Sequence, residues 1–281
     1  MIIRSMTAED LASAADFTAA EGWSSETPAT FESFFAHDAS GCFVAEDDGD
    51  PAGICVATPY GESGFIGELI VRPDLRNQGA GRRLLEHAMA YLTNQGIEEI
   101  HLDAVTRAVP LYERMGYRRV CRSLRYTGSP APANPPGVRR MTADDLPRVL
   151  ALDREAFGDD RSFFLHHWLA ATPQLCLVLD YGRGVESFLI GRQGHDSLAA
   201  GPWVVCPGAD DPGRMLAALS AAGGGRTIGL GILETCEQAV AAVESIGLRS
   251  HPDPPWRMVT GRDHRLGGSP WSWAVGSAAT G

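Results

Sequence analysis

The turn Arg76-Asn-Gln-Gly-Ala-Gly-Arg-Arg83 sets two glycines among arginines, residue types that suit the holding of an anion. Leu69, Ile70 and Val71 form a short apolar run stopped by Pro73, which predicts the end of a buried strand. Behind the turn, Leu84, Leu85, Ala88, Met89 and Leu92 recur at helical spacing, and Gly96 supplies a left-handed stop. A strand, a glycine turn and a helix start present a row of backbone N–H groups at the positive end of a helix, an arrangement that receives a phosphate. Arg72, Arg76, Arg82 and Arg83 make a local positive cluster, which by itself reads equally as a solvated basic face. Two other phosphate patterns do not match. A dinucleotide fingerprint needs a third glycine at position 84, which is Leu84, and no G-x-x-x-x-G-K-[ST] occurs.

The elements that must position this turn follow in order. Ile2–Arg4 reads as a short strand, and Thr7 with Asp10 as a capping box opening a helix to about Ala20. Thr30–His37 predicts a second helix. Gly41–Asp47 and Ala52–Pro59 predict strands joined at Asp48-Gly49-Asp50, and Phe65–Val71 the strand before the glycine turn. Ile97–Ala104 returns as a strand, Val109–Met115 as a short helix ended by Gly116, and Tyr117–Tyr126 as a closing strand. The order β-α-α-β-β-β-α-β-α-β is a mixed α/β fold.

Thr127–Gly137 carries four prolines and predicts a semi-rigid linker. After it the chain begins again. Val138-Arg-Arg-Met-Thr-Ala-Asp-Asp-Leu146 copies Ile3-Arg-Ser-Met-Thr-Ala-Glu-Asp-Leu11, Gly201–Pro207 lies over Gly67–Pro73, and Ala239–Gly247 over Ala108–Gly116. Three matches in one order, at a slowly shrinking offset, predict a tandem duplication of one fold. The expected domains are 1–126 and 138–261, with 262–281 an unassigned tail. The second copy has Gly208-Ala-Asp-Asp-Pro-Gly213 where the first has its glycine turn, and acids and a proline there repel an anion and remove a donor. It also has Pro202 for Glu68 and Val243 for Tyr112, so its pocket is expected to be structural.

The 281 residues are 44% hydrophobic and 21% charged, the composition of a folded globular protein. A net charge of −11 argues against a general nucleic-acid binder. The six cysteines include no C-x-x-C pair and most lie in apolar runs, which predicts buried thiols in a reducing, cytoplasmic setting. No apolar run approaches a membrane span, the N-terminus has no signal-peptide pattern, and the eight histidines show no metal spacing, so neither membrane nor metal is assigned.

Val71-Arg-Pro-Asp-Leu-Arg-Asn-Gln-Gly-Ala-Gly81, followed by Leu111-Tyr-Glu-Arg-Met-Gly-Tyr117, resembles the GCN5-related N-acetyltransferase (GNAT) family, whose signature Q/R-x-x-G-x-G/A is here Arg76-x-x-Gly79-x-Gly81. Where the family often has an asparagine ahead of its second motif, this chain has Val105. The resemblance implies two GNAT-like domains, the second degenerate, and acetyl transfer from acetyl-coenzyme A to a primary amine of a small-molecule acceptor by direct attack. The backbone of Gln78, Gly79, Ala80, Gly81 and Arg82, with Arg76 and Asn77, is then expected to cradle the pyrophosphate. Leu69, Ile70 and Val71 are expected to pair with the pantetheine arm like an added strand. Glu68 is the general-base candidate, or else a rim glutamate paired with an arginine. Tyr112 is the proton donor to the leaving sulfur, or else a core tyrosine. Trp23 and Phe34, with Phe31 and Phe35 beside them, wall the acceptor site or belong to the core. A peptide amine, an amino sugar and a polyamine all remain open as acceptors. The other reading is a non-catalytic acyl-coenzyme A sensor or scaffold.

Overall fold

The computed structural model describes residues 1–281 apart from 24, 210, 211 and 263–265. The first half runs β1 (Ile2–Ser5), α1 (Leu11–Ala20), α2 (Pro28–Asp38), β2 (Cys42–Asp47), β3 (Asp50–Pro59), β4 (Ser63–Val71), α3 (Ala80–Asn94), β5 (Glu99–Ala104), α4 (Val109–Arg114) and β6 (Arg118–Gly128). The second half repeats it with β7 (Val138–Arg140), α5 (Leu146–Phe157), α6 (Ser162–Ala171), β8 (Cys176–Leu179), β9 (Ser187–Gln193), β10 (Leu198–Val205), α7 (Arg214–Ala222), β11 (Ile228–Leu233), α8 (Glu237–Ser245), β12 (Arg249–Ser250) and β13 (Trp256–Thr260). A last strand, β14 (Ser272–Ala274), follows. The mixed α/β class and the doubled order are those the residue pattern predicts.

The duplication is also a duplication of interactions. Thr7 donates from its backbone N–H and its hydroxyl to Asp10 Oδ2 at 2.7 and 3.0 Å, and Thr142 does the same to Asp145 at 2.8 and 3.0 Å. Arg4 and Arg139 then hold these same carboxylates, each donating to Oδ2 at 2.7 Å. The guanidinium in each copy is the first cause that lowers its aspartate's pKa, to about 2. In the first copy α3 buries Ala80, Leu84, Leu85, Ala88 and Leu92, so the predicted apolar stripe is the face that packs on β3 and β4.

The two copies share one sheet, ordered β1-β2-β3-β4-β5-β13-β6-β11-β10-β9-β8-β7 among the described residues. Its centre is an exchange of final strands. β13, from the second copy, lies antiparallel between β5 and the first part of β6, with Met258 opposite Leu102 and Arg119. The later part of β6, Ser123–Gly128, crosses the other way and pairs with β11. This pairing carries β6 through Thr127 and Gly128, two residues into the proline-marked stretch. Pro252, Pro254 and Pro255 separate β12 from β13, where a ladder could not continue.

The helices α1 and α2 of one copy meet α5 and α6 of the other over a common core. Phe31, Phe34 and Phe65 pack there with Phe157, Phe164, Trp168 and Phe188. Asp159, from the second copy, caps the β3–β4 turn by accepting the backbone N–H groups of Gly61, Glu62 and Ser63 at 2.9–3.0 Å. Asp103 on β5 is 2% exposed and takes Arg257 of β13 and Arg125 of β6, both at 2.6 Å. Burial alone would raise its carboxyl, but the two guanidinium groups outweigh it and hold the group well below the usual carboxylate range. Such a depressed acid stabilises the fold above its unfolded pKa of about 3.9, and that contribution is lost as pH falls through the folded value. Arg257→Leu leaves Asp103 to Arg125 alone and is expected to cost about 3 kcal/mol at neutral pH, the low end for breaking a buried ion pair. Urea unfolding at pH 7 and pH 3 checks this. The variant loses less of its stability on acidification than the parent does.

Candidate active site

The first copy is open at one place. β4 and β5 are parallel neighbours only from Ser63–Ile66 against Glu99–Leu102. Beyond Ile66 they part, although β4 runs on to Val71 and β5 to Ala104. The register of β4 against β3 slips by one residue between Val56–Gly67 and Ile54–Ile70, a bulge that leaves Glu68 and Leu69 opposite Cys55. Glu68 takes φ = 51° there, the left-handed region that a glutamate seldom adopts. Backbone strain of this kind gathers at sites where a side chain must be aimed.

Glu68 is 3% exposed, and neither of its carboxylate oxygens has a hydrogen-bond partner among the described residues. Burial raises its pKa well above the ordinary glutamate value, and the charge of Glu26 raises it further. The arginine pairing considered for Glu68 is absent among the described residues. Glu26, in the loop between α1 and α2, is 2% exposed; its Oε1 accepts from the Ser25 hydroxyl at 2.9 Å and its Oε2 has no partner. Nothing in the residue pattern marks Glu26, because its burial comes from the folding of that loop over β4.

Tyr112, on α4, is 6% exposed and packs edge-to-face on Tyr117 at 5.9 Å. It belongs to the core beneath α3, with Cys55, Leu84 and Leu85. Burial pushes the Tyr112 hydroxyl up, and the Cys55 thiol beside it adds to the shift; Cys55 is raised in turn by burial and by Glu68. Cys55 and Tyr112 thus share one core, and Cys55 stands opposite the Glu68–Leu69 bulge in the strand register.

Leu69, Ile70 and Val71 line the free part of β4, and Arg72 and Asp74 then close on each other at 2.8 Å. In the turn, Asn77 and Gly79 have φ of 61° and 90°, and Gly79 is the residue before the first helical position, Ala80. Among the described residues no acceptor meets the backbone N–H groups of Gln78, Gly79, Ala80, Gly81 and Arg82, which leaves the helix start with its donors free. Gln78 folds back to the Asp74 carbonyl at 2.9 Å. The Arg76 side chain turns inward instead, donating to the Val71 carbonyl at 2.8 Å and pairing with Glu21, which also takes Arg107. Trp23 is half-buried against the shared core. Phe31 and Phe34 lie within that core, Phe34 meeting Phe164 edge-to-face at 6.3 Å, and Phe35 is half-buried against it.

The corresponding place in the second copy is filled. β10 and β11 pair only at Leu198–Ala199 against Ile228–Gly229 and then part, with the same one-residue slip against β9. Into that gap comes the chain's own β14, with Trp203 opposite Ala274 and Val204 opposite Ser272. Val275 N–H donates to Gly231 on the far side at 2.9 Å, so the segment bridges both strands. Asp210 and Asp211, read as unfavourable to an anion, lie outside the described residues. From β14 the tail runs back to the first copy, where Ala279 lies so close over Gly67 that a Cβ there would collide with it.

A parallel pair of strands that parts at a bulge, with a glycine turn and helix start at its end, is the arrangement expected from the resemblance. Two family descriptions agree with that: "Acetyltransferase (GNAT) family" matches residues 8–117 and "Acetyltransferase (GNAT) domain" matches 149–267. The chain belongs to the GNAT acetyltransferase family, as a tandem member. It is 25% identical over 174 residues to the holothin acyltransferase of Pseudoalteromonas sp. (strain SANK 73390), covering 61% of this chain and 58% of that one. A 79-residue stretch is 34% identical to an uncharacterised N-acetyltransferase of Chlorobaculum tepidum, covering 28% of this chain and 50% of that one. The chain therefore spans about half the length of these curated relatives. The fold is similar throughout to a Pyrococcus horikoshii protein provisionally assigned as an acetyltransferase (TM-score 0.80, 20% identity, 100% and 95% covered). It is also similar to a GCN5-related N-acetyltransferase from Sphaerobacter thermophilus (TM-score 0.65, 17% identity, 99% and 98% covered).

Proposed function

We propose that the first copy moves an acetyl group from acetyl-coenzyme A to a primary amine by direct attack in a ternary complex, and that the second copy serves as its structural partner. The observation that carries this is the contrast between the two openings. β4 keeps a free backbone edge beside Glu68, whereas β14 occupies the equivalent edge of β10. In this reading the N–H groups of Gln78–Arg82 hold the pyrophosphate, and the edge at Leu69–Val71 holds the pantetheine amides. Glu68 takes a proton from the amine, directly or through water, and the backbone N–H near Ile70 polarises the thioester carbonyl. Tyr112 returns a proton to the departing sulfur. Its raised pKa keeps it protonated at every working pH.

The acceptor is taken to be a small molecule, and neither nucleic acid nor membrane is invoked; no described helix is long and apolar enough to cross a bilayer. All six cysteines are free, five of them buried, which fits work in a reducing cytoplasm. Thiol release over a panel of amines tests the reading. Tyr112→Phe is expected to lower kcat about a hundredfold while acetyl-coenzyme A binding changes little. Cofactor binding with no turnover of any amine, and a Tyr112→Phe variant indistinguishable from the parent, would instead identify a sensor or scaffold.

A further inference from the structure

Among the described residues, four buried side-chain atoms without a hydrogen-bond partner belong to Glu68, Glu26 and Arg192. These three come from different elements: β4, the α1–α2 loop and, in the second copy, β9. Their neighbours Ile70 and Ile190, each two residues away in its strand, belong to the one core that both copies share. Arg192 is 6% exposed; its guanidinium lies 5.4 Å from the Trp168 ring centre, one Nη donates to the Gly276 carbonyl, and its Nε donates to nothing. The other arginine there, Arg161, is committed to Asp153 and to the Gly281 carbonyl.

Opposite charges buried in one core normally pair, because each left alone costs several kcal/mol. Here no hydrogen bond joins Arg192 to either glutamate. Between them runs the tail: Gly276 and Thr280 touch a gap beside Arg192, the Thr280 carbonyl accepts from Tyr60 at 2.8 Å, and Ala279 rests over Gly67, next to Glu68. That gap is about 10 Å³, room for one water, so a larger ligand requires the 276–281 turn to move. Pro202, which stands where the second copy has lost its glutamate, lines the same gap.

We propose that the acceptor carries an anionic group as well as its amine and is held across the seam of the two copies, the amine at Glu68 and Glu26 and the anion at Arg192. This rests on the acetyl-transfer reading. A carboxylate, a phosphate or a sulfonate each offers the oxygen that the free Nε lacks, and an ammonium arriving at two carboxylates leaves one of them able to take its proton.

The full-length protein is assayed for thiol release with the common amino acids and β-alanine, each against its carboxamide, and with phosphoethanolamine and taurine against ethanolamine. The anionic member of at least one pair is expected to show a kcat/KM tenfold or more above its neutral partner, and the pairs show which anion is preferred. In Arg192→Gln that ratio falls to near one through KM, and Arg192→Lys recovers part of it. Equal rates within every pair, or a ratio untouched in a folded Arg192→Gln, overturn the proposal while leaving acetyl transfer standing. No thiol release from any amine overturns both.

Discussion

Glu68→Gln is expected to lower kcat for acetyl transfer by about 10²–10⁴, the usual worth of a positioned base, with acetyl-coenzyme A affinity nearly unchanged. The glutamate is buried, unpartnered and raised well above its ordinary pKa, first by burial and then by Glu26. A base acts deprotonated, so kcat/KM climbs as pH rises through that raised value. Glu26→Gln removes the second cause and leaves the first, and is expected to move the limb toward lower pH without abolishing it. An acceptor of low amine pKa keeps its own titration out of the profile. If Glu68→Gln retains its kcat, the proton leaves by another route; if Glu26→Gln leaves the limb in place, the two carboxylates do not interact. The linkage has a definite sign. A group whose carboxyl pKa is raised on folding binds more protons folded than unfolded, so stability falls as pH rises above the unfolded value of about 4.3. Glu68→Gln is therefore expected to raise the unfolding temperature at neutral pH while it removes activity, the trade-off typical of a strained catalytic position.

Residues 1–128 expressed alone are expected to yield no soluble protein that binds acetyl-coenzyme A, and co-expression with residues 129–281 is expected to restore it. Without the second half, β5 and the first part of β6 lose β13 from between them, and the later part of β6 loses β11. Three strand edges are then bare, each an invitation to aggregate. Asp103 loses Arg257, the β3–β4 turn loses its Asp159 cap, and Phe34 and Phe65 lose Phe164 and Phe157. Gel filtration and thermal unfolding of the separate and paired halves decide it. A soluble 1–128 fragment melting cooperatively near the full-length temperature would show that the exchange adds nothing the first copy needs.

Much of the glycine turn was readable in advance because its conformation is local. Gly79 at positive φ, Ala80 opening a helix and the stripe from Leu84 to Leu92 depend on residues within a few positions of one another. The same holds for the paired openings Thr7–Asp10 and Thr142–Asp145, which made the duplication visible. The state of Glu68 was not readable, since its raised pKa depends first on its burial in the folded chain and then on the charge of Glu26, forty-two residues earlier. Arg76 was placed with the anion cradle by its position in the motif, yet its side chain is drawn to Glu21 at the end of α1. The second copy was expected to lose its pocket through its acids and proline, and the segment around β14 adds a cause that no comparison of the two repeats could reveal.

Acting alone, the order of residues determined two copies of a mixed α/β unit and one glycine turn leading into a helix. These follow from periodicity, turn chemistry and helix starts, all of short range. The tertiary structure alone decided that the copies exchange their last strands, that the tail fills one opening and roofs the other, and that Glu26, Glu68 and Arg192 share a core without pairing. Backbone hydrogen bonds join strands whatever their side chains, so a strand from far along the chain can enter a sheet without leaving a mark in the sequence it joins.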